Sequence, residues 1–199
     1  MRLVTIMLTI ALLPTQLVGS ETKTPAKIDT LIQEPGQAGD LPEAVVRWLE
    51  ARDYLIPLAD ETYYSGPNGN TLAGSFTGEN KEDCAALTIL RGAIEDSCRL
   101  WVIPSGDTLS PLLVGTHLMN FRTGTQWWPP HGKDSPLGFA WRISPFSQNH
   151  AKMLEECGMD IKDIPEITHA GIRLGVVDKG GGWYYYYNDS EWMRLPSCD

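Results

Sequence analysis

Positive charge is scarce in this sequence. Its 199 residues carry 16 Lys and Arg against 25 Asp and Glu, a formal net charge of −9 at pH 7. A protein that binds nucleic acid needs clustered Lys and Arg for phosphate contacts, and docking on an anionic membrane needs a basic patch. The composition therefore argues against both classes of protein.

Several motifs that carry chemistry are also missing. The four cysteines contain no C-x₂-C pair, which makes a structural zinc site a poor interpretation. The sequence has no H-E-x-x-H metal motif, no G-x-S-x-G nucleophile elbow and no P-loop. No internal repeat is visible, which disfavours propellers and solenoids. These absences favour a protein without a cofactor or a metal ion.

The N-terminus carries an uncharged apolar run at residues 3–13, which Arg2 precedes and Pro14 ends. The run is shorter than the ~18 residues that a membrane-spanning helix needs. Val18 and Ser20 stand at −3 and −1 of a cut before Glu21. Residues 1–20 are therefore predicted to be a secretory signal peptide, and the protein to be secreted or periplasmic without a membrane anchor after cleavage. Loss of Arg2 would make the mature chain one unit more acidic.

Export changes the interpretation of the cysteines, which are Cys84, Cys98, Cys157 and Cys198. An even number in an oxidising compartment favours two disulfide bonds. Three connectivities are possible. We expect Cys84–Cys98 and Cys157–Cys198, because the first pair lies on adjacent predicted strands.

Two helices are predicted after a polar tether. Residues 21–39 are polar and contain two prolines and two glycines, which predicts a flexible tether before a single domain at residues 40–199. A helix is expected to begin with Asp40 as its N-cap and Glu43 completing a capping box, and to end near residue 52 or 53. Trp48 would anchor it in the core. A second helix is expected from residue 145 or 146 to residue 157.

The rest of the pattern is typical of strands and turns. Strands are predicted at residues 54–57, 71–76, 84–90, 99–103, 112–118, 171–177, 183–187 and 192–195, with a tight turn at 188–190. The predicted fold class is α+β. One mostly antiparallel sheet of about five to seven strands packs against the first helix, and the second helix is inserted late.

Three stretches carry a family resemblance: residues 41–57 (LPEAVVRWLEARDYLIP), 72–90 (LAGSFTGENKEDCAALTIL) and 169–199 (HAGIRLGVVDKGGGWYYYYNDSEWMRLPSCD). Together they resemble small exported bacterial proteins of unknown function with a single degenerate FG-GAP/VCBS-like segment. The resemblance implies a compact β-rich domain used once, and it implies no enzyme class.

In the FG-GAP pattern, alternating oxygen ligands wrap a calcium ion. The aligned positions here are Ser75, Thr77, Glu79, the carbonyl of Lys81, and Asp83. Only Glu79 and Asp83 would offer carboxylates, so calcium would bind weakly. The alternative is a plain β-turn-β connection, with Gly78 in a left-handed conformation and Asp83 bonding local backbone.

Aromatic residues supply the candidate binding site. The run at residues 183–187 (WYYYY) places aromatic rings on both faces of one strand. Rigid rings with polar tips suit sugar or protein recognition, whereas the same residues can simply fill a small β core. The candidate ligand-binding residues are Trp127, Trp128, His131, Tyr185, Tyr187 and Trp192.

Three functions are compatible with these features. The leading hypothesis is an exported, non-enzymatic binding or interaction protein whose partner is a protein or glycan of the cell envelope. An alternative is an acidic inhibitor or immunity-type protein that binds a cationic envelope enzyme, favoured by the negative charge. The third is a small hydrolase in which His131 and Asp134 form an acid–base pair.

Overall fold

The computed structural model describes residues 32–58, 70–92, 97–106, 108–118, 141–148, 154–155, 158–160, 162, 166–176 and 181–198. Among these residues, one α-helix is described from end to end, α1 (Glu43–Glu50), together with ten strands. The strands are β1 (Ile32–Gln33), β2 (Tyr54–Pro57), β3 (Thr71–Gly74), β4 (Asp83–Leu90), β5 (Ser97–Ile103), β6 (Leu112–Leu118), β7 (Trp141–Phe146), β8 (Gly171–Val176), β9 (Gly181–Asn188) and β10 (Glu191–Cys198).

The ten strands form two antiparallel sheets. The six-stranded sheet A has the order β1-β2-β4-β5-β6, with β3 paired to β4. The four-stranded sheet B has the order β10-β9-β8-β7. The mostly antiparallel α+β class is confirmed. The expectation of a single sheet is wrong, because alternating apolar residues do not specify which strands share a sheet.

The inner faces of the two sheets pack against each other. Alternate residues of β4 and β5, among them Leu87 and Leu100, contact Ile143, Ile172 and Tyr185 of sheet B in one buried cluster. The intervening residues point outward and meet other layers. Helix α1 covers the outer face of sheet A, and a second cluster with Leu154, Ile167 and Tyr184 covers the outer face of sheet B. Both faces of each sheet are therefore covered by apolar side chains.

The N-terminal part of the described chain is more ordered than its composition predicts. Ile32 and Gln33 pair with β2, and a short 3₁₀ turn at Pro35–Gln37 follows. Pro35 and Ala38 are buried. A flexible tether is therefore wrong for residues 32–39, whereas residues 1–31 lie outside the described residues.

Helix α1 starts later than predicted. Its N-cap is Pro42, with no side-chain cap, so Asp40 is not the N-cap. The reciprocal capping hydrogen bonds occur one element earlier, between Glu34 and Gln37 of the 3₁₀ turn. Trp48 packs against Tyr54 and Trp101 of sheet A, as expected of a core anchor.

The predicted second helix does not begin at Pro145 or Phe146. Both residues belong to β7, which pairs along its whole length with β8. Pro145 is tolerated there because β7 is an edge strand among the described strands of sheet B and need not donate a hydrogen bond outward. Helical conformation is described at Gln148 and at residues 154–155, and most of the remaining predicted helix lies outside the described residues.

Asn70 joins the two sheets. Its side-chain amide donates to the carbonyls of Pro57 in β2 and Trp141 in β7, and its Oδ1 accepts from the backbone N–H of Ile143. Its own carbonyl accepts from Leu87 in β4. Asn70 is completely buried, so these bonds satisfy polar groups that would otherwise be costly to bury.

The expected Cys84–Cys98 disulfide is absent, and both thiols are free and buried. In the β4–β5 register Cys84 lies opposite Ile103, whereas Cys98 lies opposite Ile89. The five-residue offset corresponds to about 17 Å along the strands, far beyond the ~7 Å limit for a disulfide between Cα atoms. The two side chains also point to opposite faces of sheet A. The side chains of Cys157 and Cys198 lie outside the described residues.

The predicted tight turn before the last strand is confirmed. Asn188 pairs with Glu191, which leaves Asp189 and Ser190 as a two-residue loop. Both have positive φ, +46° and +72°, which is typical of a type I′ turn. The turn fixes the register of β9 against β10.

Candidate functional site

The loop aligned with the calcium-binding pattern closes on itself through hydrogen bonds. Both the backbone N–H and the hydroxyl of Thr77 donate to Oδ2 of Asp83, at 2.7 and 2.8 Å. Oδ1 of Asp83 accepts from the N–H of Ser105, and the Ser75 hydroxyl donates to the carbonyl of Lys81. Most of the aligned ligand positions thus bond one another, and Glu79 is exposed.

This loop supports the plain β-turn-β interpretation. Asp83 bonds local backbone, as expected. The left-handed residue, however, is Asn80, with φ of +59°, and not Gly78. Asn tolerates this conformation better than most residues. The described residues contain no group of three or more His, Cys, Asp or Glu side chains that could hold a metal ion.

A polar cluster lies where sheet A meets sheet B. His117 of β6 is buried, and its Nε2 hydrogen-bonds the hydroxyl of Tyr185 in β9. Arg194 of β10 lies opposite Tyr185 in the hairpin register, and its positive charge acts on both the Tyr185 hydroxyl and the His117 imidazole. Cys98 faces the same core, because it lies directly opposite His117 in the β5–β6 register.

Burial sets the protonation of this cluster. Burial, and then the positive charge of Arg194, lower the pKa of His117 below its ordinary 6.5. Burial raises the pKa of Tyr185 to about 12 and that of Cys98 to about 12. All three groups are therefore neutral near pH 7. A thiol in this state is a poor nucleophile.

Gly115 provides the space for the Tyr185 hydroxyl. A Cβ atom at Gly115 would lie 2.6 Å from that oxygen and 3.0 Å from Nε2 of His117. Both distances are shorter than an ordinary van der Waals contact. The missing side chain is thus what lets β6 approach the Tyr185 hydroxyl.

Three aromatic residues and one arginine share a face of the β9–β10 hairpin, and we call them the hairpin face: Trp183, Tyr187, Trp192 and Arg194. Trp192 lies opposite Tyr187, with ring centroids 5.6 Å apart, and Arg194 lies opposite Tyr185. The guanidinium of Arg194 lies 4.2 Å from the centroid of the Trp183 ring. The three rings are partly buried and Arg194 is exposed.

The hairpin face lies at the end of a sheet. β10 is the last strand of sheet B, so its outer side has no neighbouring strand among the described residues. The indole N–H of Trp192 is buried and has no hydrogen-bond partner within the same part of the chain. Trp183 and Trp192 also pack against the core between the two sheets, so the face offers partly exposed rings beside one exposed cation.

The structure separates the predicted ligand-binding residues. Tyr187 and Trp192 lie together on the hairpin face. Tyr185 is only 1% exposed, and its hydroxyl hydrogen-bonds His117 in the core between the sheets. Trp127, Trp128, His131 and Asp134 lie outside the described residues.

The sequence interpretation missed Trp183 and Arg194 as members of the site. A signal for both was present in the pattern. A two-residue turn at 189–190 pairs residue 187 with 192 and residue 185 with 194, and alternation then places residue 183 on the same face. The register of the hairpin, taken with side-chain alternation, would have identified the hairpin face.

A comparison with protein-family models, curated proteins and solved structures finds no match to this chain. The FG-GAP-like resemblance therefore stays a prediction. The fold and site define a protein of two packed antiparallel sheets with a helix on the outer face of one sheet and an aromatic and arginine face on its last hairpin. No helix in the described part of the chain is long and apolar enough to cross a membrane.

Proposed function

We propose that this protein is an exported, non-enzymatic binding protein whose ligand contacts the hairpin face. The observation that supports the proposal is the grouping of Trp183, Tyr187, Trp192 and Arg194 on one side of the terminal hairpin. Large rigid rings give contact area at little cost in conformational entropy, and their polar edges give hydrogen bonds. These properties suit the recognition of a small, partly polar ligand.

The size of the face favours a short oligosaccharide over a folded protein partner. A stable interface between folded proteins buries about 800 Å² on each partner. Three partly buried rings expose on the order of 200 Å² in all, since each aromatic side chain has roughly 150–250 Å² to bury. Residues 183 and 187 lie about 13 Å apart along β9. A glycan of the cell envelope with a few sugar rings fits this span.

Binding to an immobilised glycan array, followed by titration of tryptophan fluorescence, tests the proposal. Trp192→Ala and Tyr187→Ala are expected to weaken binding at least tenfold, because each removes a ring from the face. Met193→Ala is the matched control, because Met193 is exposed on the same strand but points to the opposite face. The affinity of the Met193→Ala variant for the glycan should match that of the wild-type protein.

Circular dichroism and thermal unfolding would confirm that each variant is folded, and Trp192→Phe keeps a ring if the alanine variant is unstable. The proposal fails if the wild-type protein binds no glycan on the array. It also fails if the folded Trp192 and Tyr187 variants bind as tightly as the Met193 control.

A further inference from the structure

We infer that the hairpin face recognises acidic glycans, with Arg194 binding a carboxylate of the sugar. This inference rests on the proposed function and adds the chemical class of the ligand. Its basis is a cation that is held in place by neutral groups and has no carboxylate partner among the described residues. A carboxylate is the group that a guanidinium fork matches best in geometry and charge.

The position of Arg194 is restricted by an aromatic ring. Its guanidinium stacks 4.2 Å from the centroid of the Trp183 ring, and the residue lies opposite Tyr185 in the hairpin register. Guanidinium has five N–H donors in one plane, so donors remain for a ligand. Because stacking restricts the side chain in advance, less entropy is lost when a carboxylate binds.

The charge of Arg194 is not compensated by its surroundings. The groups that face it are the phenol of Tyr185, the imidazole of His117 and the thiol of Cys98, and all three are neutral near pH 7. The carboxylate on its own strand, Glu191, is three residues away and therefore points to the other face of sheet B.

Other cations of this acidic chain are paired differently. Arg47 binds Glu43, and Lys162 binds Asp160. Arg91 binds Glu34. Arg52 and Arg99 also lie over aromatic rings without a carboxylate partner among the described residues, but only Arg194 of the three lies on the hairpin face. The hairpin face thus offers a local positive site on a negative molecule, which selects for an anionic group at that point.

The test compares tri-galacturonate with its methyl ester, which keeps the sugar rings but replaces each carboxylate by a neutral ester, by isothermal titration with the purified protein. The acid is expected to bind about 10- to 100-fold more tightly than the ester, because a hydrogen bond to a charged partner is stronger than one to a neutral partner. Arg194→Gln should remove this preference, and Arg194→Lys should keep part of it. Raising the salt concentration should weaken the binding of the acid and leave the binding of the ester unchanged.

Arg52→Gln is the matched control, because Arg52 also stacks on a tryptophan, Trp48, but on helix α1. This variant should keep the full preference for the acid. Circular dichroism would check that the Arg194 variants are folded.

The other outcomes separate the inference from the proposed function. If the ester binds as tightly as the acid, or if Arg194→Gln weakens both ligands equally, the inference is wrong although glycan binding stands. Binding of sulfated glycans on the array without binding of tri-galacturonate also overturns the carboxylate assignment. If no glycan binds, acidic or neutral, the proposed function itself fails and the inference fails with it.

Discussion

At the scale of single residues, Gly115 and Tyr185 depend on each other. Gly115→Ala would place a Cβ atom 2.6 Å from the Tyr185 hydroxyl oxygen. We expect a loss of about 2 kcal/mol in the free energy of unfolding, because overpacking a filled core costs this much. Tyr185→Phe alone should cost about 1 kcal/mol through the lost hydrogen bond with His117.

A variant that carries both Gly115→Ala and Tyr185→Phe measures how strongly the two residues depend on each other. Removing the hydroxyl relieves the closest contact, so Gly115→Ala with Tyr185→Phe should be about 1 kcal/mol more stable than the sum of the single changes. Urea unfolding followed by circular dichroism gives all four values. Gly39→Ala is the control, because its Cβ would meet no atom within 4 Å. Strict additivity would show that the contact does not limit Gly115.

The burial of Tyr185 illustrates what the sequence leaves undetermined at this scale. Alternation correctly placed aromatic rings on both faces of β9, but the three central rings, Tyr184, Tyr185 and Tyr186, are buried. Tyr185 reaches His117, which is 68 residues away in the chain. No local pattern reports such a partner. One oxygen of Asp83, by contrast, accepts two hydrogen bonds from Thr77, only six positions away, and that local role was predicted.

At the scale of elements, the β9–β10 hairpin depends on its turn. Ser190 has φ of +72°, in the position of a type I′ turn that glycine favours. A left-handed conformation costs a non-glycine residue roughly 1–2 kcal/mol. Ser190→Gly should therefore raise the free energy of unfolding by about 1 kcal/mol. Ser190→Ala, which keeps the Cβ atom, should not stabilise the protein, and thermal unfolding compares the two. Equal shifts would refute this explanation.

Strands were easier to predict than the second helix. Strands such as β4 and β5 alternate strictly between an inner and an outer face, and the two-residue turn fixed the last hairpin. Phe146 fitted a helical stripe by spacing, but its strand is paired from Trp141 to Phe146 with β8. Long-range pairing outweighed a local periodicity of only a few residues. Periodicity likewise does not specify which strands pair with each other, so it could not predict the division into two sheets.

At the scale of the whole molecule, His117 should make stability depend on pH. Its pKa is lowered in the folded protein, so the unfolded chain takes up a proton first as the pH falls below about 6.5. Stability is then complete above that pH and decreases towards acid, with a slope of at most about 1.4 kcal/mol per pH unit from this one group. The charged group facing His117 is Arg194, and the titratable groups facing it are Tyr185 and Cys98, whose pKa values burial raises to about 12.

Urea unfolding from pH 7.5 to 5 would measure this slope. His117→Gln keeps a hydrogen-bond acceptor for Tyr185 but has no titrating group, so its profile should be flatter in the same range. Ionisation of the carboxylates affects the wild-type protein and the His117→Gln variant alike, so it cancels in the difference between their two pH profiles. Parallel profiles for the two proteins would mean that His117 takes up its proton equally well in the folded state.

The side chain and backbone of Asn70 bond β2, β4 and β7, so each sheet completes the hydrogen bonding of the other. If the two sheets separated, buried amide and carbonyl groups of the neighbouring sheet would lose their hydrogen-bond partners. The two sheets should consequently melt as one cooperative unit. In calorimetry this means a single transition whose calorimetric and van't Hoff enthalpies agree, even though the strands are divided between two layers.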